Sequence, residues 1–198
     1  MNGRELERFS IPNLLKCENR DSGEIICGYG ILWGQPSSDL GGFVRMFMPG
    51  CFTESLASQE VRYLYAHDDD QIYGRTANGT LKVTEDEKGL WVELTPPVWS
   101  PEFVGRIRSG LVDGQSVGVF VTQDVWTEAT DTEPAVRHIN KATLIEVSAT
   151  ANPAFPSTTL ELRTLSSMRA TRQQPSKSPV VLLSLIQQHA EIVLGLSR

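Results

Sequence analysis

Residues 110–121 read Gly-Leu-Val-Asp-Gly-Gln-Ser-Val-Gly-Val-Phe-Val, with one serine between two glycines at the entry to an apolar run. From Ser116 onward, valine alternates with serine, glycine and phenylalanine, which is the periodicity of a strand. Ser116 is therefore expected near the start of a strand, with its hydroxyl on one face. Gly114 and Gly118 allow the backbone to bend and to approach a ligand closely. A serine beside glycine is commonly a turn residue; to act as a nucleophile it needs a base and a group that orients the base.

The same residues match the G-x-S-x-G pattern of the α/β-hydrolase nucleophile elbow, in which a strand precedes the serine and a helix follows it. Here the predicted order is reversed. Ser100 and Pro101 are typical of a helix start. Phe103, Ile107 and Leu111 then fall on one helical face. A helix thus precedes the serine and a strand follows it, which disfavours the elbow.

The composition is that of a soluble globular protein. The 198 residues suffice for one complete core with an appended segment. A hydrophobic fraction of 40% with 21% charged residues is ordinary for this class. No apolar run approaches the roughly 18 residues of a membrane span. Residues 1–8 also lack the apolar centre of a signal peptide. We therefore predict no membrane association.

The charge and the metal-ligating residue types argue against a nucleic-acid-binding, a disulfide-linked or a metal-binding protein. The net charge is −6, but the residues from Arg163 onward carry five basic side chains and one acidic one, which leaves −10 for residues 1–162. An acidic body of this kind disfavours nucleic-acid binding. The three cysteines lack CxxC spacing, and none of the three histidines is paired at i, i+4. These features predict reduced thiols, no disulfide framework and no metal site, and no cofactor is expected.

Outside residues 110–121 the chain shows mainly β character. Glycines interrupt the first strand, as in a bent barrel strand, and residues 51–58 could form a two-turn helix. The acidic residues 68–70 are expected in a solvated loop, and a polar loop is expected at 127–134. The predicted strands lie at 23–34, 43–48, 60–66, 81–83, 90–94 and 136–149.

Two further residues are candidates for the partners of Ser116. His67 ends a predicted strand, where it is either a turn histidine beside acidic residues or a base. Glu146 lies within an apolar strand, in which Leu144, Glu146 and Ser148 are expected to share one face. A buried glutamate would need a partner for its charge, whereas a solvated strand face would explain it without function. Triads are recognised by geometry, so these alternatives stay open at this point.

Several short blocks follow one another between about Gly28 and Arg163. They are Met48-Pro49-Gly50-Cys51-Phe52 with Ser55-Leu56, His67-Asp68 with Gly74-Arg75, Gly89-Leu90-Trp91-Val92, Ser116-Val117-Gly118, and Glu146-Val147-Ser148 leading to Asn152-Pro153-Ala154. In their order and spacing these blocks resemble the prohead (procapsid maturation) serine proteases of tailed bacteriophages.

The resemblance implies an α+β, mainly β fold. It would be a closed or nearly closed β-barrel with a few surrounding helices, related to the herpesvirus maturational protease. It implies a catalytic triad of His67, Ser116 and Glu146. Scaffold and major capsid protein would be the substrates, and the enzyme would process itself. The expected location is the bacterial host cytoplasm, inside the assembling prohead. Homo-oligomerisation stays open.

Other assignments compete with this one. His138, 22 residues after Ser116, is the alternative third triad member. An esterase could use Ser116, Glu146 and His189 in the order found in α/β-hydrolases. A protein of another class, a non-catalytic capsid-assembly protein, could keep the protease fold without its chemistry.

The C-terminal part differs in composition from the rest. We predict a protease domain over residues 1–163, a flexible linker over 164–179 and an amphipathic helix over 180–198. The apolar stripe of such a helix either packs on the barrel or binds scaffold or capsid protein.

Overall fold

The alternating apolar segments form ten β-strands in the computed structural model, which describes residues 5–11, 14–21 and 23–151. Two α-helices and one short 3-10 helix, Thr76–Asn78, join them. The strands are β1 (Glu7–Ile11), β2 (Lys16–Arg20), β3 (Gly23–Leu32), β4 (Phe43–Phe47), β5 (Arg62–Tyr65), β6 (Asp68–Arg75), β7 (Leu81–Glu85), β8 (Gly89–Leu94), β9 (Gly114–Thr127) and β10 (Ala135–Thr150); the α-helices are α1 (Thr53–Ser58) and α2 (Pro101–Arg108).

The strands belong to two sheets. The six-stranded sheet has the order β1-β9-β10-β5-β6, with β4 also paired to β10, and the four-stranded sheet has the order β2-β3-β8-β7. Strand β10 is antiparallel to β9 but parallel to β4 and β5. The predicted α+β, mainly β class with few helices is thus confirmed. Neither sheet is closed in the strand pairings of the described residues, so the predicted barrel is not confirmed.

Close packing explains two of the glycines of β3, Gly28 and Gly30. A Cβ atom on Gly28 would lie 1.9 Å from the carbonyl oxygen of Leu14, and one on Gly30 would lie 3.1 Å from Cγ1 of Val117 on β9. The ladder between β3 and β8 also has an irregularity between Tyr29 and Ile31. The glycines therefore bring the four-stranded sheet close to the strand that carries Ser116.

Most predicted elements are confirmed, with local differences. Residues 68–70 lie in edge strand β6 rather than in a loop, although their side chains stay largely solvated. Leu111 is 71% exposed instead of continuing the buried face of α2. The reason is that α2 ends at Arg108 and Gly110 adopts a positive φ of 75°, which turns the chain so that Val112 is buried instead.

A buried ion cluster fastens β1 to the six-stranded sheet. Glu7 accepts hydrogen bonds from Arg137 at 2.9 and 3.0 Å and from Arg45 at 3.3 Å, and all three side chains are buried. Phe9 packs edge-on against Phe47 with ring centroids 4.6 Å apart. Breaking a buried ion pair costs several kcal/mol, on the order of 3–5. Strand β1 is therefore firmly held beside β9.

In the described part of the chain, no helix is long and apolar enough to cross a membrane. The predicted linker, the predicted C-terminal helix and His189 lie outside the described residues.

Candidate active site

His67 occupies a tight turn that leaves little freedom for its backbone. Strand β5 ends at Tyr65 and β6 begins at Asp68, so Ala66 and His67 alone connect them, with φ angles of 52° and 61°. Such hairpin turns usually contain asparagine and glycine, because other residues disfavour a positive φ by about 1–2 kcal/mol. The amide of Ala66 donates to the carbonyl of Ala149 at 3.0 Å, which ties the turn to β10.

Glu146 reaches the site because β10 contains a bulge. Leu144 pairs with Val119 of β9, whereas Glu146 pairs with the preceding residue, Gly118, so Ile145 is an extra residue. Leu144 therefore points into the core and Glu146 points to the opposite face. The expectation that Leu144 and Glu146 share a face is wrong for this reason. Ser55 stabilises the bulge by accepting the backbone amide of Leu144 at 2.9 Å.

The structure brings His67 and Glu146 into direct contact. Nδ1 of His67 lies 2.6 Å from Oε1 of Glu146, and the side chains are 15% and 4% exposed. An ionised carboxylate only accepts hydrogen bonds, so Nδ1 carries the proton. Nε2 of the neutral ring is then left without a proton, as a general base requires. The glutamate is buried and has a partner for its charge.

Gly118 provides the space for the carboxylate. A Cβ atom at this position would lie 2.4 Å from Oε1 of Glu146 and 3.0 Å from its Cδ. No side chain fits there without displacing the group that contacts His67. The second glycine of the serine motif thus accommodates a side chain of the protein itself, not a bound ligand as its position in the motif suggested.

Ser148 forms hydrogen bonds with both His67 and Glu146. Its hydroxyl donates to Oε2 of Glu146 at 2.7 Å and accepts the backbone amide of His67 at 3.2 Å. Both carboxylate oxygens of Glu146 are therefore engaged, one by His67 and one by Ser148. The alternation of Glu146 and Ser148 along one strand face was visible in the sequence, but nothing in the pattern indicated these contacts.

Ser116 lies on the same sheet face, at a distance from this pair. It is the third residue of β9 and the direct cross-strand partner of Ser148, so their Cβ atoms are separated by about 5 Å. Its hydroxyl accepts a hydrogen bond from Ser10 of β1 at 2.9 Å, and the residue is fully buried. The hydrogen bonds of the described residues include none between His67 and Ser116. Because α2 and not a strand precedes β9, the nucleophile elbow is not formed.

The other candidate groups lie elsewhere. His138 contacts the Thr127 hydroxyl at 3.0 Å and is eight residues from Glu146 along β10, a separation of roughly 26 Å at strand spacing. All three cysteines are free. Burial raises the pKa of Cys17 and of Cys27 to about 11, and it also raises that of Cys51. A reactive cysteine needs a lowered pKa, so none of them is an activated thiolate.

His67 and Glu146 belong to no metal-binding cluster of the described residues and do not line the cleft beside α2. In residues 5–11, 14–21 and 23–151, no group of three or more histidine, cysteine or acidic side chains could hold a metal ion. A cleft of about 240 Å³ opens near the His67 turn, beside α2. It is lined by four aromatic residues, Tyr65, Tyr73, Trp99 and Phe103, and by four polar or charged ones, Gln71, Ser100, Glu102 and Arg106.

The contact between Gly118 and Glu146 yields a prediction. Gly118→Ala should displace the carboxylate and destabilise the protein by about 1–3 kcal/mol, the usual cost of overpacking. Gly105→Ala is the control, because a Cβ atom there meets nothing within 4 Å and α2 gains a better helix former. Chemical denaturation of both variants measures the difference. Equal stability of the two variants would contradict the close approach.

Comparisons with known proteins found a family and a solved structure that are similar to this chain. Residues 13–174 match the family described as caudovirus prohead serine protease. No match was found among curated proteins. Among solved structures, the capsid assembly protease gp21 of bacteriophage T4 is similar, with 13% sequence identity and a TM-score of 0.49 over 75% of this chain and 98% of that one. Because the family match spans most of its length, the chain belongs to the caudovirus prohead serine proteases.

Proposed function

We propose that the protein is a serine endopeptidase that cleaves scaffold protein, capsid protein or both during phage head maturation, and that it cleaves itself. The observation that carries this proposal is the contact between His67 and Glu146 on the sheet face that also presents Ser116. The family match supports the reaction class. We infer scaffold and capsid protein as substrates from the resemblance to prohead proteases, because these proteins form the prohead that matures.

Each of the three side chains has one role in the proposed mechanism. The hydroxyl oxygen of Ser116 attacks the scissile carbonyl while Nε2 of His67 takes its proton. His67 then gives that proton to the leaving amine. Glu146 keeps the proton of the neutral ring on Nδ1 and stabilises the imidazolium that forms. In the second half of the reaction, water attacks the acyl group while Nε2 of His67 takes a proton from the water. His67 then returns that proton to the oxygen of Ser116, and the acid product leaves.

The hydroxyl of Ser116 must become accessible and donate its proton to Nε2 of His67 before it reacts. In the free protein it is bonded to Ser10 and is inaccessible. Catalytic hydrogen bonds are often absent without substrate and form in the complex. The same burial is the specific observation in favour of a non-catalytic capsid-assembly role. A fluorophosphonate probe separates the two functions, because only a reactive serine is labelled.

The nucleophile is tested by Ser116→Ala. Co-expression with the phage's own capsid and scaffold proteins, read by intact mass, should show processing by the wild type and none by the variant. Loss of a triad nucleophile lowers kcat by up to roughly 10⁶-fold. Ser37→Ala is the control and should process normally, because it removes a hydroxyl that accepts a backbone amide of β4, which pairs with β10 nine residues before Glu146. Near wild-type processing by Ser116→Ala would exclude the serine-protease mechanism.

The role of Glu146 as the carboxylate that orients His67 is tested by Glu146→Gln. The amide can accept at only one of its two positions, so it cannot serve both the Nδ1 proton of His67 and the hydroxyl proton of Ser148. We expect kcat to fall by about 10⁴-fold, the loss seen when a triad carboxylate becomes an amide. His138→Gln, at the far end of β10, should change kcat little. The opposite pattern would assign the role to His138.

For the C-terminal segment we propose binding to scaffold or capsid protein, which would carry the protease into the assembling shell. Deleting residues 165–198 should leave a folded protease that still cleaves capsid protein in solution but is not packaged. Particle-associated protease, measured by immunoblot after co-assembly, is compared with the full chain. Normal packaging of the truncated protein would disprove this role.

A further inference from the structure

Ser148 completes a hydrogen-bonded ring that contains both the backbone amide and the imidazole of His67. The backbone amide of His67 donates to the Ser148 hydroxyl at 3.2 Å, and that hydroxyl donates to Oε2 of Glu146 at 2.7 Å. The other carboxylate oxygen, Oε1, lies 2.6 Å from Nδ1 of His67. The ring thus links the main chain and the side chain of one residue through a serine and a carboxylate.

The backbone of His67 needs this partner. In a two-residue hairpin turn the amide of the second turn residue has no acceptor within the turn. A buried amide without a partner would cost about 1–3 kcal/mol and would add to the unfavourable positive φ angles of Ala66 and His67. The hydroxyl of Ser148 satisfies this amide and therefore helps to hold the turn in the conformation that places the imidazole ring.

The carboxylate of Glu146 also needs the Ser148 hydroxyl as a hydrogen-bond partner. The group is 4% exposed, and only its Oε1 faces the imidazole, so a free Oε2 would be a buried charged oxygen without a donor. Donation from Ser148 fixes the rotation of the carboxylate plane. Gly118 on the neighbouring strand provides the space for this placement, because a Cβ atom there would meet the carboxylate.

We propose that Ser148 is a positioning residue of the peptidase: its hydroxyl holds the His67 turn and the Glu146 carboxylate so that the bond between Nδ1 and Oε1 is formed before substrate arrives. The proposal rests on the proposed function. Ser148 is fully buried, and its one hydroxyl is already engaged by two groups, so it acts through His67 and Glu146 rather than on the substrate.

The experiment compares Ser148→Ala with Ser148→Thr, which retains the hydroxyl, and with Ser37→Ala, which loses a hydroxyl bonded to the backbone of β4 at the far end of β10. The first readout is the proton NMR signal of Nδ1–H in the full chain labelled with ¹⁵N-histidine, assigned by its absence from His67→Gln. We expect a low-field signal in the wild type, in Ser148→Thr and in Ser37→Ala. It should be lost or moved upfield in Ser148→Ala.

The second readout is steady-state cleavage of capsid protein. Ser148→Ala should lower kcat roughly 10- to 100-fold, as expected for loss of a hydrogen bond to a charged group, with KM nearly unchanged. Ser148→Thr should restore most of kcat. A retained Nδ1–H signal in Ser148→Ala would overturn the proposal, and so would a kcat within twofold of wild type or a rise in KM alone.

Two outcomes distinguish this inference from the proposed function. If the wild type neither cleaves capsid protein nor reacts with a fluorophosphonate, the function fails, yet the Nδ1–H signal still decides whether Ser148 positions His67. If the probe labels Ser148 instead of Ser116, then Ser148 is the nucleophile and its positioning role is overturned.

Discussion

The burial of one carboxylate within the six-stranded sheet is the constraint on which the rest of the site depends. An ionised glutamate that is 4% exposed is stable only if both of its oxygens have donors. His67 supplies one donor and Ser148 the other. Two local features of the neighbouring backbone accommodate this carboxylate. The bulge at Ile145 directs the side chain to this face, and Gly118 leaves room for it.

Strand β10 carries Glu146 and Ser148 and pairs with the strand that carries Ser116 and with the strand that leads to His67. It pairs with β9, β4 and β5, so one continuous strand of sixteen residues fixes the positions of three neighbours. The carbonyl of Ala149 accepts the amide of Ala66, and Ser148 accepts that of His67. The strained turn is therefore kept by β10 and not by its own sequence, since Ala-His is a poor choice for two positive φ angles. Sites on rigid strands of this kind are more precise than sites on loops.

Sequence periodicity was sufficient to predict most strands, the two helices and the β character around Ser116. It also pointed to His67 and Glu146, which the structure places in contact. It could not predict the bulge, because the extra residue Ile145 is an ordinary strand residue, and strict alternation then assigns Leu144 to the wrong face. The acceptor that stabilises this bulge is Ser55, about ninety residues away in sequence and on a different element. Contacts of that range leave no trace in a local pattern.

The position of β1 bears on how Ser116 becomes reachable. Detaching β1 would separate Glu7 from its two arginines, at on the order of 3–5 kcal/mol, and would expose Phe9, at about 1.5–3 kcal/mol more. Rotating the hydroxyl of Ser116 away from Ser10 gives up one neutral hydrogen bond, worth about 1 kcal/mol. Loss of this bond therefore costs less than detachment of β1, but it does not by itself expose Ser116, which is fully buried. In the proposed peptidase a substrate would have to compensate both for the lost bond between the two serines and for the local movement that exposes the hydroxyl, while the strand that carries Ser10 stays in place.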